Sequence, residues 1–552
     1  MPSILPAAPT RTLALRRTEV ALRASAWAAP LATLVFAALL LGITTVAVIN
    51  RVDHLADIPR YTDEINEILP AFDIVRGSRF PLVSGPKHIG AFWDYLLAGG
   101  MLVFGRSPDL PRTMILAAGL ATLVLTYSYA RFLGGRWAGL IAMGLLAVSA
   151  PHVLLSSRVA WSVCLTPLLS VGAAWALDHA VASRKPWHLL ITGLLSGLAL
   201  QAHPSFVAVI PGLAVYAFWR GRRFLRGPQP YLAGLLFLVA CSNVLIYNLQ
   251  SGFGGIRSVD RQYPDGELGT LVYLETALAP ARGLLLTLAS AVDPTREPSV
   301  FAPFVLLVGV VSVVALAYLA RRTTALPSLV VLIAMALLPL VHDDFAPLLK
   351  ARYIMALVPL TYVAIAVFLV RAVAQRGGWP RVVAVSVTAL MMTGMQMSLT
   401  RFEAVALAND CTNIPQRAFV GQIERHLLPG EWILLDQGVL PSGERMGYLT
   451  LLELSSKKVG ESSFGRGKIR RELEERSSFL TAVSDGKASS IFEAQGLPLL
   501  PQTVTAVHPA LREPGTDGRR PAQGVGLYRV GADGVVLLFH DPSPGCGDLR
   551  AD

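Results

Sequence analysis

The chain has 552 residues, of which 53% are hydrophobic and only 15% are charged, and its mean hydropathy is +0.52. This composition excludes an ordinary soluble enzyme and predicts that a lipid bilayer is the solvent of most of the chain. The formal net charge of +11 would favour nucleic acid only if a soluble domain presented a basic face. The arginines instead lie in short segments between apolar runs. We therefore expect no nucleic-acid partner, and we infer that the excess positive charge sets the orientation of the chain in the membrane.

The N-terminal segment, residues 1–29, carries four arginines and precedes an apolar run from Pro30 to Ile49. That run is about 20 residues long, which is the length a helix needs to cross a bilayer. No small-residue cleavage site follows it, so we predict a retained anchor rather than a removed signal peptide. The preceding arginines predict that residues 1–29 lie in the cytoplasm.

Further apolar segments follow along the chain, and together with the first they predict a mainly α, polytopic bundle of about eleven spans over residues 30–400. They lie at residues 112–129, 137–150, 162–180, 189–202, 206–219, 231–249, 301–319, 325–341, 353–370 and 382–399.

The run from Ile89 to Gly105 is also apolar, but it contains Asp94 and several glycines. If it lies at the outer interface instead of spanning, each short basic loop falls on the cytoplasmic side. We therefore predict an interfacial or re-entrant helix in a multi-pass protein of the plasma membrane. The basic loops are residues 131–136, 184–185, 220–226, 321–322 and 371–381.

From residue 401 to residue 552 the chain turns polar and contains strand-like runs at 432–436, 524–530 and 534–540. These runs predict a small extracytoplasmic α/β domain. Cys411 and Cys546 lie near its two ends, in a compartment that permits a disulfide between them. Cys164 and Cys241 lie in apolar spans, where we expect small buried hydrophobes.

The first outer loop contains an acidic pair, Asp63 and Glu64, shortly after the first span. Such a pair is either solvated surface or a functional group, acting as a general base, a metal ligand or both. A carboxylate at the membrane face is partly desolvated, which raises its pKa and lets it take a proton from an acceptor hydroxyl or amine.

Lys87, His88 and Trp93 follow in the same loop. A tryptophan at this depth is usually an interfacial anchor, whereas Lys87 and His88 could meet a phosphate. Arg158 is an isolated outer cation in a chain that keeps most arginines inside, which makes it a functional candidate. His203 lies at another outer turn and either caps a helix or binds a metal together with a loop carboxylate, although one histidine is not a metal motif.

The last outer loop carries Asp343 and Asp344, followed by Lys350, Arg352 and Tyr353 at the start of the next span. Lysine and arginine at this position suit a pyrophosphate or a phosphate monoester held at the bilayer surface. Tyr353 would donate a hydrogen bond to the same group.

The order and location of these residues resemble the GT-C membrane glycosyltransferases, in the branch of the protein O-mannosyltransferases and lipid A aminoarabinose transferases. The resemblance extends over about residues 30 to 400. Many relatives carry a Pro-Pro pair where this chain has Lys87 and His88, which puts the handling of the acceptor in question. The residues that carry the resemblance are Asp63-Glu64, the stretch Gly85–Leu97, Pro151 with Ser157-Arg158, and Arg352-Tyr353 with Pro359.

The resemblance implies a polyprenyl-phosphate sugar as donor and a lipid, glycan or protein as acceptor. It implies that the first outer loop, residues 51–111, is catalytic, with Asp63 as the base and Glu64 supporting it or binding an ion. Metal use varies in the superfamily, so a divalent cation stays open as a cofactor. The cations that would neutralise the departing lipid phosphate are Lys87, Arg158, Lys350 and Arg352.

The alternative interpretation is a membrane transporter or lipid flippase. Such a protein places ionisable groups at mid-membrane depth and often shows repeated halves. The predicted spans here are almost free of charge and the sequence shows no repeat, so we favour the enzyme.

Overall fold

The structure is a computed structural model that describes residues 11–55, 62–107, 109–260, 278–291, 302–340 and 350–408. In the C-terminal part it describes residues 425–426, 428, 433–434, 478–484, 525–531 and 534–541. Asp343, Asp344, Cys411 and Cys546 lie outside the described residues. The predicted loop carboxylates and the predicted disulfide therefore stay predictions.

The described part of the chain before residue 409 is almost entirely helical. Its first helices are α1 (Arg11–Val52), α2 (Thr62–Arg76), α3 (Phe92–Phe104), α4 (Leu110–Gly134), α5 (Arg136–Ala147) and α6 (Ala150–Val153). They are followed by α7 (Thr166–Ser183), α8 (His188–Ala202), α9 (Ile210–Gly221), α10 (Gln229–Ala240), α11 (Ser242–Gln250) and α12 (Gly254–Asp260). The last are α13 (Ala279–Leu288), α14 (Ala302–Ala320), α15 (Leu326–Leu337), α16 (Val358–Phe368) and α17 (Gly378–Ala408).

Short 3-10 and π-helical turns connect or extend these helices. The π-helical turns are Leu154–Arg158 and Leu369–Val373. The 3-10 turns are Ser162–Leu165, Pro204–Ala208, Arg222–Arg226, Leu338–Leu340, Lys350–Tyr353, Met355–Leu357 and Ala374–Arg376.

Six of the described helical segments are long and apolar enough to cross a membrane, or up to eight if each of two bent pairs is one span. One pair joins α5 to α6 and its π-helical continuation at 72°, and the other joins α10 to α11 at 58°. Shorter apolar helices, α3 and α8 among them, fall below the roughly 20 residues of a straight crossing. The prediction of a mainly α membrane bundle is confirmed, whereas the number of eleven spans stays a prediction.

Glycines let helices of the bundle pack at close range. A Cβ added to Gly193 of α8 would lie 2.0 Å from the carbonyl oxygen of Ala233 in α10. Small residues serve this purpose in membranes because lipid tails provide no hydrophobic force that holds helices together. Large apolar side chains instead face outward, such as Leu34 of α1, which is 67% exposed, as contact with lipid requires.

A charged side chain lies inside the predicted span of α7, contrary to the nearly uncharged spans expected from the sequence. Asp178 is buried, and its carboxylate accepts hydrogen bonds from the hydroxyl of Tyr129, at 2.6 Å, and from the hydroxyl of Tyr216. These two donors from α4 and α9 satisfy the buried carboxylate, so it ties three helices together.

The described strands of the C-terminal part form one sheet in the order β1 (Ile433–Leu434), β2 (Ser478–Ser484), β3 (Val525–Gly531) and β4 (Gly534–Asp541). Strand β1 pairs with β2 in parallel, and the other two pairs are antiparallel. The first, third and fourth strands coincide with the predicted runs. Strand β2 was not predicted because its sequence, SFLTAVS, does not alternate between apolar and polar residues. The domain limits of 401 and 552 stay predictions.

Candidate active site

Two irregular stretches of the chain meet at the candidate site. The first includes the π-helical turn Leu154–Arg158 and the 3-10 turn Ser162–Leu165, and the second is the 3-10 turn Lys350–Tyr353. The two 3-10 turns contact each other. Pro167 lies in the first turn of α7, where the N–H that proline lacks would have no partner within the helix, so it favours a helix start at this point. Irregular turns of this kind re-aim side chains and are frequent at functional sites.

Arg352 is held between two aromatic rings. Its guanidinium carbon lies 4.6 Å from the ring centroid of Trp161 and 5.0 Å from that of Tyr353. Its Nη2 donates a hydrogen bond to the Tyr353 hydroxyl at 3.0 Å. Trp161 and Tyr353 are both buried. The rings therefore fix the position of a half-buried positive charge by cation–π attraction and by packing.

The aromatic contacts continue from Tyr353 to two of the predicted histidines. The rings of Tyr353 and His203 have centroids 5.2 Å apart, and those of His203 and His88 are 6.4 Å apart. The Nδ1 of His203 accepts a hydrogen bond from the backbone N–H of Ser205 at 3.1 Å. His203 thus caps the 3-10 turn that follows it, which is the simpler of the two roles expected from the sequence.

A buried pair of carboxylates adjoins these rings, and sequence reasoning did not select it. Glu67 of α2 accepts a hydrogen bond from the backbone N–H of Ser162 at 2.6 Å, next to Trp161 in the chain. Asp94 of α3 accepts one from the Ser84 hydroxyl at 2.9 Å. Burial, together with the nearby negative charge of Glu67, raises the pKa of Asp94 to about 8, although the Ser84 hydrogen bond opposes the shift. The sequence does contain a signal for Asp94, because it is the one acidic residue in the otherwise apolar α3.

The predicted catalytic pair lies on the same helix as Glu67. Asp63 and Glu64 are in the first turn of α2, and their side chains are outside the described part of the chain. Asp63 precedes Glu67 by one helical turn, a rise of about 6 Å along the axis. The Glu67–Ser162 hydrogen bond therefore anchors the start of α2 beside Trp161, which Arg352 covers.

The remaining predicted residues of this region differ in exposure. Lys87 is exposed, whereas Lys350 is half-buried in the same 3-10 turn as Arg352. Trp93 is fully buried in α3, so it packs in the interior rather than anchoring the protein at the membrane surface. The exposed aromatic residues of that helix are Tyr95, at 41%, and Phe104, at 77%.

Arg158 is fully buried and pairs with an acid that lies far along the chain. Its Nη2 contacts the carboxylate of Glu403 in α17 and donates to the carbonyl oxygens of Asn50, at 3.2 Å, and Asp53, at 3.4 Å. Its Nε and Nη1 have no hydrogen-bond partner among the described residues. Arg158 thus joins the end of α1 to the last long helix, and its predicted role as a phosphate ligand stays a prediction.

A metal centre has no support from the part of the chain that the structure describes. No three His, Cys, Asp or Glu side chains there lie close enough together to hold a metal ion. His203 was predicted as a metal ligand together with Glu64, but its Nδ1 is occupied by the Ser205 N–H. The role of Glu64 as a ligand of a divalent cation stays a prediction, because its side chain lies outside the described part of the chain.

The fold and the site together define a class: a multi-pass membrane protein whose helical bundle holds a fixed cation beside buried carboxylates. Residues 90–247 match the family model described as dolichyl-phosphate-mannose-protein mannosyltransferase. A search among curated proteins found no match to the sequence.

Two solved structures share the fold. ArnT from Cupriavidus metallidurans in the apo state is 14% identical, with a TM-score of 0.55 over 85% of this chain and 95% of that chain. The same protein bound to undecaprenyl phosphate is 13% identical, with a TM-score of 0.56 over 86% of this chain and 96% of that chain. The chain thus shares the fold of ArnT, and its residues 90–247 match the mannosyltransferase family model, which confirms the resemblance to the GT-C glycosyltransferases seen in the sequence.

Proposed function

We propose that the protein transfers a sugar from a polyprenyl-phosphate donor to a lipid, glycan or protein acceptor at the outer face of the plasma membrane. The observation that carries the proposal is the fixed cation: Arg352 lies over Trp161 and is hydrogen-bonded to Tyr353. Trp161 precedes Ser162, which anchors α2 through Glu67, and the first turn of α2 contains Asp63. A preorganised cation stabilises the charge that develops on a departing phosphate. The related fold of ArnT has been solved with undecaprenyl phosphate bound, which supports the same donor class here.

In this proposal one set of residues activates the acceptor and another set binds the phosphate of the donor. Asp63 accepts the proton of the acceptor hydroxyl or amine as that atom attacks the anomeric carbon, and Glu64 supports Asp63. The bond from the anomeric carbon to the phosphate oxygen breaks, and its electron pair leaves with the lipid phosphate. Arg352 and Lys350 neutralise that phosphate, and the exposed Lys87 attracts the donor.

Arg158 receives a different role from the one that its isolated position in the sequence implied. Its contact with Glu403 already neutralises its charge, and its backbone contacts hold the end of α1. We therefore propose that it positions the helices around the site, while Arg352 and Lys350 provide the contacts to phosphate.

The test is sugar transfer in membranes that contain the full-length protein and a radiolabelled polyprenyl-phosphate sugar. Asp63→Asn should lower the transfer rate by at least about 100-fold, because general base catalysis contributes roughly that factor or more. Asp73→Asn, in the same helix, is the control and should leave the rate unchanged. Full transfer by the Asp63 variant would refute the base assignment. Movement of intact donor lipid across the membrane without sugar transfer would favour a flippase.

A further inference from the structure

A narrow pocket beside Arg352 extends the candidate site toward the core of the bundle, and in this structure its walls lie too close together to admit a water molecule. Its polar lining is provided by His152, Ser156 and Arg352, and its apolar lining includes Val163, Cys164 and Met355. The lining of the pocket therefore combines hydrogen-bonding groups and a positive charge with apolar side chains.

The protonation of His152 follows from its contact with Arg51. The Nη2 of Arg51 lies 2.8 Å from the Nδ1 of His152. A guanidinium can only donate hydrogen bonds, so Nδ1 is the acceptor and the proton of the neutral ring is on Nε2. His152 is only 1% exposed, so water does not reach this Nε2. The Nε2 also has no hydrogen-bond partner among the described residues. A buried donor of this kind is costly unless a ligand or water accepts its hydrogen bond.

Arg51 is itself held in place by further contacts, so it fixes the orientation of the histidine ring. Its Nη1 donates to the carbonyl oxygens of Ala47, at 3.0 Å, and Ala147, at 3.2 Å. Its Nε donates to the Ser156 hydroxyl at 3.1 Å. With its guanidinium nitrogens engaged, Arg51 cannot turn to allow the other tautomer of His152.

We propose that the Nε2–H of His152 donates a hydrogen bond to an oxyanion that binds against Arg352 as the walls of this pocket move apart. The ligand chemistry that fits is a phosphate attached to an apolar chain, because the cation and the N–H donor match the phosphate oxygens and the remaining wall is apolar. This inference rests on the proposed function and adds His152 as a donor-binding residue and Arg51 as the residue that positions it.

The test measures binding of undecaprenyl phosphate to the purified full-length protein in detergent, with two substitutions at one position. In His152→Asn the side-chain oxygen still accepts from Arg51, but the donor at Nε2 is lost. In His152→Gln the longer side chain places an N–H donor near the former Nε2. We expect affinity to fall about ten-fold or more in His152→Asn and within about three-fold of wild type in His152→Gln, since a hydrogen bond to a charged group is worth that much. His188→Asn, outside the site, should bind as wild type.

The outcomes separate this inference from the proposed function. Failure of the wild-type protein to bind undecaprenyl phosphate would refute both. Wild-type binding that is lost in Arg352→Ala but unchanged in His152→Asn would refute only the role of His152. Inorganic phosphate or phosphatidic acid competing as strongly as the polyprenyl lipid would refute the match of the apolar wall to an isoprenoid chain.

A second measurement tests without any substitution whether the lipid binds at this pocket, and it applies even if His152→Asn does not fold. Undecaprenyl phosphate with a photoreactive group on its first isoprene unit would be crosslinked to the wild-type protein. We expect labelled peptides from the pocket segments 152–167 and 352–355, and labelling confined to the rest of the chain would refute the site.

Discussion

The guanidinium of Arg352 lies 4.6 Å from the centroid of the Trp161 ring, although 190 positions separate the two residues in the chain. This pair joins the two irregular turns of the site and holds a positive charge beside the helix that carries Asp63 and Glu67. The planar guanidinium is suited to this place, because it stacks on an aromatic face and donates a hydrogen bond to the Tyr353 hydroxyl in the same geometry.

Arg352→Lys should therefore bind the donor less well even though it keeps the charge. The compact ammonium of lysine cannot stack on Trp161 and donate to Tyr353 in the same geometry. We expect about a ten-fold loss of affinity for undecaprenyl phosphate, which corresponds to roughly 1.4 kcal/mol. Binding to the purified protein checks this, with Arg376→Lys, an exposed arginine elsewhere in the chain, as the control. Equal affinity of Arg352→Lys and wild type would show that only the charge matters.

The raised pKa of Asp94 predicts a pH dependence of stability. The folded state binds the proton up to about pH 8, whereas the unfolded chain releases it near the ordinary value of 3.8. Between these two values the folded state holds more protons, so the free energy of unfolding falls as pH rises through this window. Asp94→Asn removes the titrating group and should flatten this decline.

Thermal unfolding of the purified protein measures this decline in stability. The measurements run from about pH 5 to about pH 8, between the pKa values of Asp94 in the unfolded and folded states. We expect the melting temperature of wild type to fall by several degrees more than that of Asp94→Asn, since about 1 kcal/mol corresponds to a few degrees. Asp73→Asn serves as the matched control. Parallel curves for wild type and Asp94→Asn would contradict the assigned pKa.

The buried contact between Arg158 and Glu403 predicts an asymmetric mutational effect. Glu403→Gln leaves the fully buried Arg158 without its counter-ion, which should lower the free energy of unfolding by about 3–5 kcal/mol. Replacing both partners, by Arg158→Met with Glu403→Leu, should restore most of the loss, because no unpaired charge remains. Thermal unfolding provides the measurement, and Arg401→Gln, an exposed neighbour, is the control.

The double variant also tests the role of Arg158 in the reaction. If Arg158 only positions helices, the restored protein should bind undecaprenyl phosphate within about three-fold of wild type, since positioning is then preserved by packing. A stable double variant that no longer binds the lipid would instead show that Arg158 contacts the phosphate, as predicted from the sequence.

The close approach of α8 and α10 predicts which glycines tolerate a methyl group. Gly193→Ala should destabilise the bundle by roughly 1–3 kcal/mol, because the added Cβ would overlap the carbonyl oxygen of Ala233 and force the helices apart. Gly234→Ala, at the neighbouring position of α10, meets no atom within 4 Å and should be neutral or slightly stabilising. Thermal unfolding of the two variants side by side is the measurement. Equal stability would refute the tight packing of this pair.

Part of the site could be predicted from local sequence. Arg352 stands out because cations are rare beside apolar spans. The structure places it against Tyr353, whose ring contacts that of His203. Asp63 was predicted from its position after the first span, and its catalytic role stays a prediction. Glu67, in the same acidic stretch, was passed over because nothing nearby in the sequence shows that Ser162 donates to it.

The sequence alone determined that the protein is a mainly α bundle in a membrane, since the length and apolarity of a span are local properties that can be read from consecutive residues. It also located three of the four strands through short-range composition. Only the tertiary structure decided which charges are neutralised. Arg158 looked like an available cation until Glu403, 245 residues later, was found beside it. Partners this distant leave no local pattern, because packing of the helices, and not spacing along the chain, brings them together.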